Sequence, residues 1–285
     1  MLPILEPCGG LAVTSDDRMR VACIQMNSGP DRAVNLQQAA ELLRQAAAGG
    51  ATLAVLPENF PLMGVTDSDK RAQAEPQGDS TVLSFLSMQA ALHHMAIIAG
   101  SILLEGEQGK LRNVCPVFAA NGRMLATYDK MHLFDVYLDG ESYCESASIQ
   151  AGDQPCSVEL GRFRFGLSIC YDIRFPELYR HYVDAGCHVL CAVAAFTEQT
   201  GRAHWQTLLR ARAIEDQCYV LASAQWGRHA DGRRTWGHSM IIDPWGEVLE
   251  VQEEGTGVIM ADLTSARLTH IRKILPSLQH RQISR

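Results

Sequence analysis

Short, continuously apolar, β-branched runs alternate with helical stripes along this chain, and the whole alternation occurs twice. In the first half, residues 20–26 read as a strand. Val34, Leu36, Ala39, Ala40, Leu43 and Ala47 then recur at helical spacing and stop at Gly49-Gly50. A strand is expected over 52–56, a helix over 81–94, and strands over 96–103 and 113–119. Asn121-Gly122 turns the chain into a further strand at 124–128. The second half follows the same plan, with strands at 164–169, 188–194 and 219–224 and helices at 176–185 and 204–216. Asp243-Pro244-Trp245-Gly246 is a turn between strands at 239–242 and 247–251, and 257–262 closes the sheet. Two similar halves, each strand–helix–strand–helix followed by hairpins, predict an α/β protein: two mixed sheets packed face to face with helices outside. Residues 19–285 are expected to form one domain, with 1–18 a loose extension.

Composition narrows the function classes. Of 285 residues, 47% are hydrophobic and 20% charged, the balance of an ordinary globular chain able to bury a large core. A formal net charge of −7 without any Lys/Arg block argues against a nucleic-acid partner. No apolar stretch approaches the roughly 18–20 residues of a membrane span. The first eighteen residues lack the basic start and long apolar run of a secretory signal. Nine cysteines, an odd number with several inside apolar runs, argue against a disulfide framework and for a cytoplasmic protein with buried free thiols. Cys187 and Cys191 are spaced C-x3-C on an expected strand, without the second pair that structural zinc requires, so no metal is expected.

One thiol differs from the others. Cys170 ends the apolar run Gly166-Leu167-Ser168-Ile169 and precedes Tyr171-Asp172-Ile173-Arg174 and a helix opened by Pro176. Most cysteines are small buried packing residues, but a core strand rarely runs into such a polar cluster. The carboxyl edge of an α/β sheet is where ligands bind, and a helix N-terminus nearby favours thiolate. Ser168 is a poorer nucleophile candidate, because Gly166-x-Ser168-x lacks the second glycine of a nucleophile elbow. Two further strand ends carry charge: Glu58 in Leu56-Pro57-Glu58-Asn59 and Lys130 in Tyr128-Asp129-Lys130-Met131-His132. Each alone reads as a solvated loop residue. Together with Cys170 they meet a chemical need, since attack on an amide requires a base for the thiol and a positive group at the developing oxyanion.

These three segments, in this order and at these separations, resemble the Glu, Lys and Cys motifs of the nitrilase (carbon–nitrogen hydrolase) superfamily over almost the whole chain. The resemblance implies a four-layer αββα sandwich, in agreement with the pattern reading. It also implies Glu58 as general base, Lys130 as oxyanion stabiliser and Cys170 as nucleophile, with the backbone N–H of Tyr171 completing the oxyanion hole. The second glutamate of such sites matches Glu145, with Glu141 as a rival. Arg174 matches a position that grips a substrate carboxylate, against the alternative of an ion pair with Glu177 or Asp172. No metal or organic cofactor is implied. The partners implied are a small-molecule amide and further copies of the chain, the apolar face of 177–185 with Tyr179 and Tyr182 serving a homodimer or higher homo-oligomer.

Side motifs point to one branch. Ala195-Phe196-Thr197, His204-Trp205, Gln225-Trp226-Gly227-Arg228-His229 and Gly237-His238-Ser239-Met240 resemble the Nit1 branch, whose members split deaminated glutathione to 2-oxoglutarate and cysteinylglycine. On that reading Phe196 and Thr197 line the substrate site. Arg228, His229, Arg233 and Arg234 lie in a polar loop able to reach the second carboxylate, a solvated turn around Asp231-Gly232 being the favoured alternative for Arg233 and Arg234, and Trp226 narrows the pocket. Alternatives are an ω-amidase, an N-carbamoyl amidohydrolase, or a catalytically silent binding protein on the same fold.

Overall fold

The computed structural model describes residues 17–138 and 140–283; residues 1–16 of the expected extension, Cys8 among them, lie outside the described residues. The first half comprises β1 (Arg18–Gln25), α1 (Arg32–Ala48), β2 (Leu53–Val55), α2 (Asp67–Gln73), α3 (Thr81–His93), β3 (Ala96–Ile98), β4 (Ile102–Glu105), β5 (Leu111–Phe118) and β6 (Met124–Asp129). A hairpin of β7 (Asp135–Leu138) and β8 (Glu141–Cys144) and a short β9 (Ile149–Gln150) lead to the second half. There β10 (Ser157–Leu160), β11 (Phe163–Ile169), α4 (Pro176–Asp184), β12 (Val189–Ala194), α5 (Glu198–Thr200), α6 (Gln206–Asp216) and β13 (Tyr219–Ala224) follow. The chain ends with β14 (Trp226–Arg228), β15 (Arg234–Trp236), β16 (Ser239–Ile242), β17 (Val248–Gln252), β18 (Gly257–Thr264) and α7 (Ser265–Ile274).

One sheet has the order β18-β1-β2-β3-β5-β4, with β6 and β9 also paired to β5; the other runs β10-β11-β12-β13-β16-β17. Within each, three strands are parallel: β1–β2–β3 and β11–β12–β13. Parallel strands buried on both faces are apolar throughout, and side-chain alternation then sends successive residues into different layers. Val21 and Cys23 of β1 enter the core between the sheets, while Ala22 and Ile24 pack under the helices of the first half. Val189, Cys191 and Val193 of β12 likewise enter the central core, and Leu190, Ala192 and Ala194 meet α4 and α6. The result is the four-layer αββα sandwich. Ser223 stitches the sheets together where β1, β2 and β13 end: its hydroxyl donates to Val55 O (2.8 Å) and accepts from Ile24 N (3.2 Å).

Two expectations need correction. The strand expected over 96–103 is broken between Ile98 and Ile102, because the chain turns at Gly100 with φ +60°. A Cβ there would stand 2.0 Å from Pro57 O, so only glycine fits beneath the Glu58 loop. Ser101 completes the contact, its hydroxyl accepting from Asn59 N at 3.0 Å. Tyr179 and Tyr182 do not form an outward face of α4; each is 1% exposed and packed on the second sheet. No helix among the described residues is long and apolar enough to cross a membrane. The eight described cysteines are free thiols, and among the described residues no group of His, Cys, Asp and Glu is placed to hold a metal.

Candidate active site

Glu58, Lys130 and Cys170 stand at the ends of three different strands, and the fold brings them to one point. Glu58 follows β2, Lys130 follows β6, and Cys170 follows β11. The Lys130 ammonium, 2% exposed, bonds Glu58 Oε1 at 3.1 Å and both oxygens of Glu145 at 3.0 and 2.9 Å. Glu145 also accepts from the N–H of Phe134 at 2.7 Å. This places Glu145 against the lysine; the side chain of its rival, Glu141, lies outside the described residues. Glu58 is aligned from three sides. Its Oε2 accepts from Ala195 N at 2.7 Å, its Oε1 from Asn113 Nδ2 at 3.2 Å, and its own carbonyl takes the amide of buried Gln225 at 3.1 Å.

The electrostatics follow from this packing. Burial opposes charge on Lys130, but the carboxylates of Glu145 and Glu58 outweigh it and hold the ammonium well above its usual range. At Cys170, burial and then the Glu58 carboxylate push the thiol up, against the opposing pull of Lys130 and the Ala195 N–H. The resting sulfur is therefore a thiol beside a carboxylate, and the thiolate favoured by a helix N-terminus is not what the surroundings support. Ser168 is no competitor, since its buried hydroxyl bonds Tyr179 Oη and Cys191 O at 2.6 and 2.7 Å.

Cys170 adopts φ +50°, a left-handed conformation uncommon for a side-chain-bearing residue. Asp172, fully buried, holds it there. One carboxyl oxygen accepts from Ile169 N (2.8 Å) and Tyr128 Oη (2.7 Å), the other from the N–H (3.0 Å) and Nδ1 (2.7 Å) of His132. The His132 ring stacks on Phe175, centroids 3.7 Å apart. Asp172 thus links the cysteine turn to the segment that carries Lys130. In the sequence it stood among the polar residues after Cys170 and as an ion-pair alternative for Arg174.

Around these groups lies a cavity of about 260 Å³, walled by Phe134, Tyr143, Tyr171, Phe196, Thr197 and Thr200 among others. Its charged lining also includes Asp67, Lys70 and Arg233. The sequence-level assignments fare unevenly here. Phe196 and Thr197 are at the wall. Arg174 is not among the lining residues and forms no ion pair with Glu177 or Asp172 among the described residues; its guanidinium lies over the rings of Tyr171 (5.7 Å) and Phe196 (5.1 Å) and bonds His204 at 3.2 Å. Arg228 and His229 do not reach the cavity. Arg228 is exposed. His229 is 4% exposed, its ring nitrogens committed to Ser28 O (2.9 Å) and Thr235 Oγ1 (2.8 Å), and burial pushes it toward the neutral form. Trp226 pairs with Trp236 in the β14–β15 hairpin, outside the cavity lining.

A model of the carbon-nitrogen hydrolase family matches residues 20–273. The chain belongs to that family. Among its relatives is a deaminated glutathione amidase of Synechocystis sp., 46% identical over 91% of this chain and 97% of that one. A mouse omega-amidase is 35% identical over 92% of this chain and 95% of its own. The Caenorhabditis elegans NitFhit protein superposes with a TM-score of 0.88 at 34% identity, covering 94% of this chain. This chain spans 66% of that longer protein, just under two thirds. This carbon–nitrogen hydrolase is an amidase on the nitrilase-superfamily fold.

Proposed function

We propose that this carbon–nitrogen hydrolase cleaves deaminated glutathione through a thioester on Cys170, releasing cysteinylglycine and then 2-oxoglutarate. The observation that carries the reading is the convergence of Glu58, Lys130, Glu145 and Cys170 on one ring-lined cavity. Glu58 accepts the thiol proton as Sγ attacks the amide carbon. The oxyanion takes the Lys130 ammonium and the Tyr171 N–H, donors whose value is greatest in a dry site. When the tetrahedral species collapses, the amine leaves with the proton held on Glu58. Glu58 then takes a proton from water, the hydroxide attacks the thioester, the acid departs, and the sulfur regains its proton. Glu145 keeps the ammonium oriented through both of its oxygens.

The name of the Synechocystis relative supports the substrate. Deaminated glutathione carries a carboxylate at each end. Arg174, lying over two rings of the cavity wall, is proposed to hold the keto-acid end. The mouse relative makes 2-oxoglutaramate the second candidate substrate. Steady-state turnover of deaminated glutathione, 2-oxoglutaramate and an N-carbamoyl amino acid separates these readings. The proposal expects the highest kcat/KM with deaminated glutathione; far faster turnover of 2-oxoglutaramate would overturn it.

A further inference from the structure

On the amidase reading one substrate carboxylate falls to Arg174, which lies behind the Tyr171 and Phe196 rings and outside the cavity lining; Arg233, at the other end of a run of rings, is in the lining itself. The guanidinium of Arg233 lies 5.9 Å from the Tyr143 ring. Tyr143 packs on Phe134 at 5.2 Å, and Phe134 packs on Tyr171 at 5.2 Å. Tyr171 in turn lies 5.7 Å from the guanidinium of Arg174. One arginine thus stands at each end of a three-ring wall, and these three rings line the cavity that holds Cys170.

The hairpin register explains why Arg233 is the arginine presented there. Arg228 and Arg234 are directly opposed across β14–β15 and so share a face; Arg234 is drawn off to Glu198 at 2.6 Å. Arg233 and Thr235 project to the other side, and Thr235 is buried beneath His229. The root of Arg233 is stiff, because its carbonyl accepts from His229 N (2.8 Å) and its N–H donates to Asp231 Oδ1 (3.0 Å). Lys70 also faces the cavity, but Asp67 faces it too and holds the lysine at 2.7 Å, so that pair brings no net charge. Among the described residues the ion pair of Arg233 is with Asp231, at 3.4 Å, and Asp231 is not part of the lining. A half-exposed local pair of that length is weak and exchanges readily for a substrate carboxylate.

We propose that Arg233 is the specificity-determining anchor for a carboxylate on the departing amine, so that peptide-like amines with a free C-terminus are preferred over uncharged ones. This rests on the amidase reading above and extends it to the far side of the scissile bond. A guanidinium suits this task because its planar fork bonds both carboxylate oxygens.

The test compares deaminated glutathione with the same molecule carrying a C-terminal carboxamide in place of the glycine carboxylate. Wild-type enzyme should favour the acid by about 10- to 100-fold in kcat/KM, the value of a charge-assisted pair. In Arg233→Ala that preference should vanish through a raised KM for the acid, with kcat and the carboxamide's kinetics nearly unchanged. Arg233→Lys should restore part of it. Equal losses on both substrates, or an intact preference in Arg233→Ala, would overturn the anchor while leaving the amidase reading in place. Failure of the wild-type enzyme to hydrolyse either amide would overturn both.

Discussion

Replacing Asp172 by asparagine keeps the shape of the side chain and changes only its hydrogen bonding. The carboxylate accepts four bonds, from Ile169 N, Tyr128 Oη and both donors of His132. A carboxamide oxygen can keep two of them, and its NH2 group then faces the other two donors. At about 1–3 kcal/mol for each buried donor left unpaired, the variant loses roughly 2–6 kcal/mol, out of a total of about 5–15 for a typical domain. The melting temperature should fall by roughly 5–20 °C. Because the Ile169 bond precedes the strained φ of Cys170, the sulfur also shifts, and kcat should drop about 10- to 100-fold at 25 °C while the protein remains folded. Urea unfolding and steady-state kinetics measure the two effects separately. If asparagine does not support folding, Tyr128→Phe removes one of the four Asp172 bonds, together with the acceptor for Met131 N, and should show both effects at smaller size. Wild-type melting and wild-type kcat in Asp172→Asn would refute the argument that this carboxylate positions the cysteine.

Four further variants test the site. In Glu58→Gln, loss of the carboxylate that raises the Cys170 thiol should lower its pKa, so alkylation by iodoacetamide reaches half its plateau at lower pH than in wild type. Amide hydrolysis should fall at least about 100-fold in the same variant. Lys130→Met strands two carboxylates around a missing ammonium and should cost about 3–5 kcal/mol in urea unfolding, besides abolishing turnover. Arg228→Ala should leave kinetics within about twofold, whereas His229→Ala should lower stability by about 2–4 kcal/mol with modest kinetic effect.

The layers of the fold were legible because strands buried on both faces must be apolar, and β12, the 21–24 run of β1 and all of β13 but Ser223 are. Glu58, Lys130 and Cys170 stood out as candidates because charge and a polar cluster interrupt apolar runs at strand ends, and the resemblance to three ordered motifs joined them into one site. Asn113 carried a weaker signal, as an amide at the head of the apolar run 113–119, and it proves to bond Glu58. What stayed hidden depends on register and on distance in space. Which of Arg228, His229, Arg233 and Arg234 meets the cavity is decided by how β14 pairs with β15, and a shift of one residue would exchange the answers. The polar helix α2, with no buried residue, has no apolar stripe to betray it, yet it brings Lys70 to the cavity. Gly100 read as strand because its need for a left-handed turn arises from Pro57, more than forty positions away in the chain.

The central claim is that Cys170 carries the acyl group. Mass spectrometry of enzyme quenched in acid during turnover of deaminated glutathione tests it directly. A 2-oxoglutaryl adduct is expected on the peptide containing Cys170, absent from Cys170→Ala, which should have no turnover. An adduct on another residue, or turnover retained in Cys170→Ala, would contradict it.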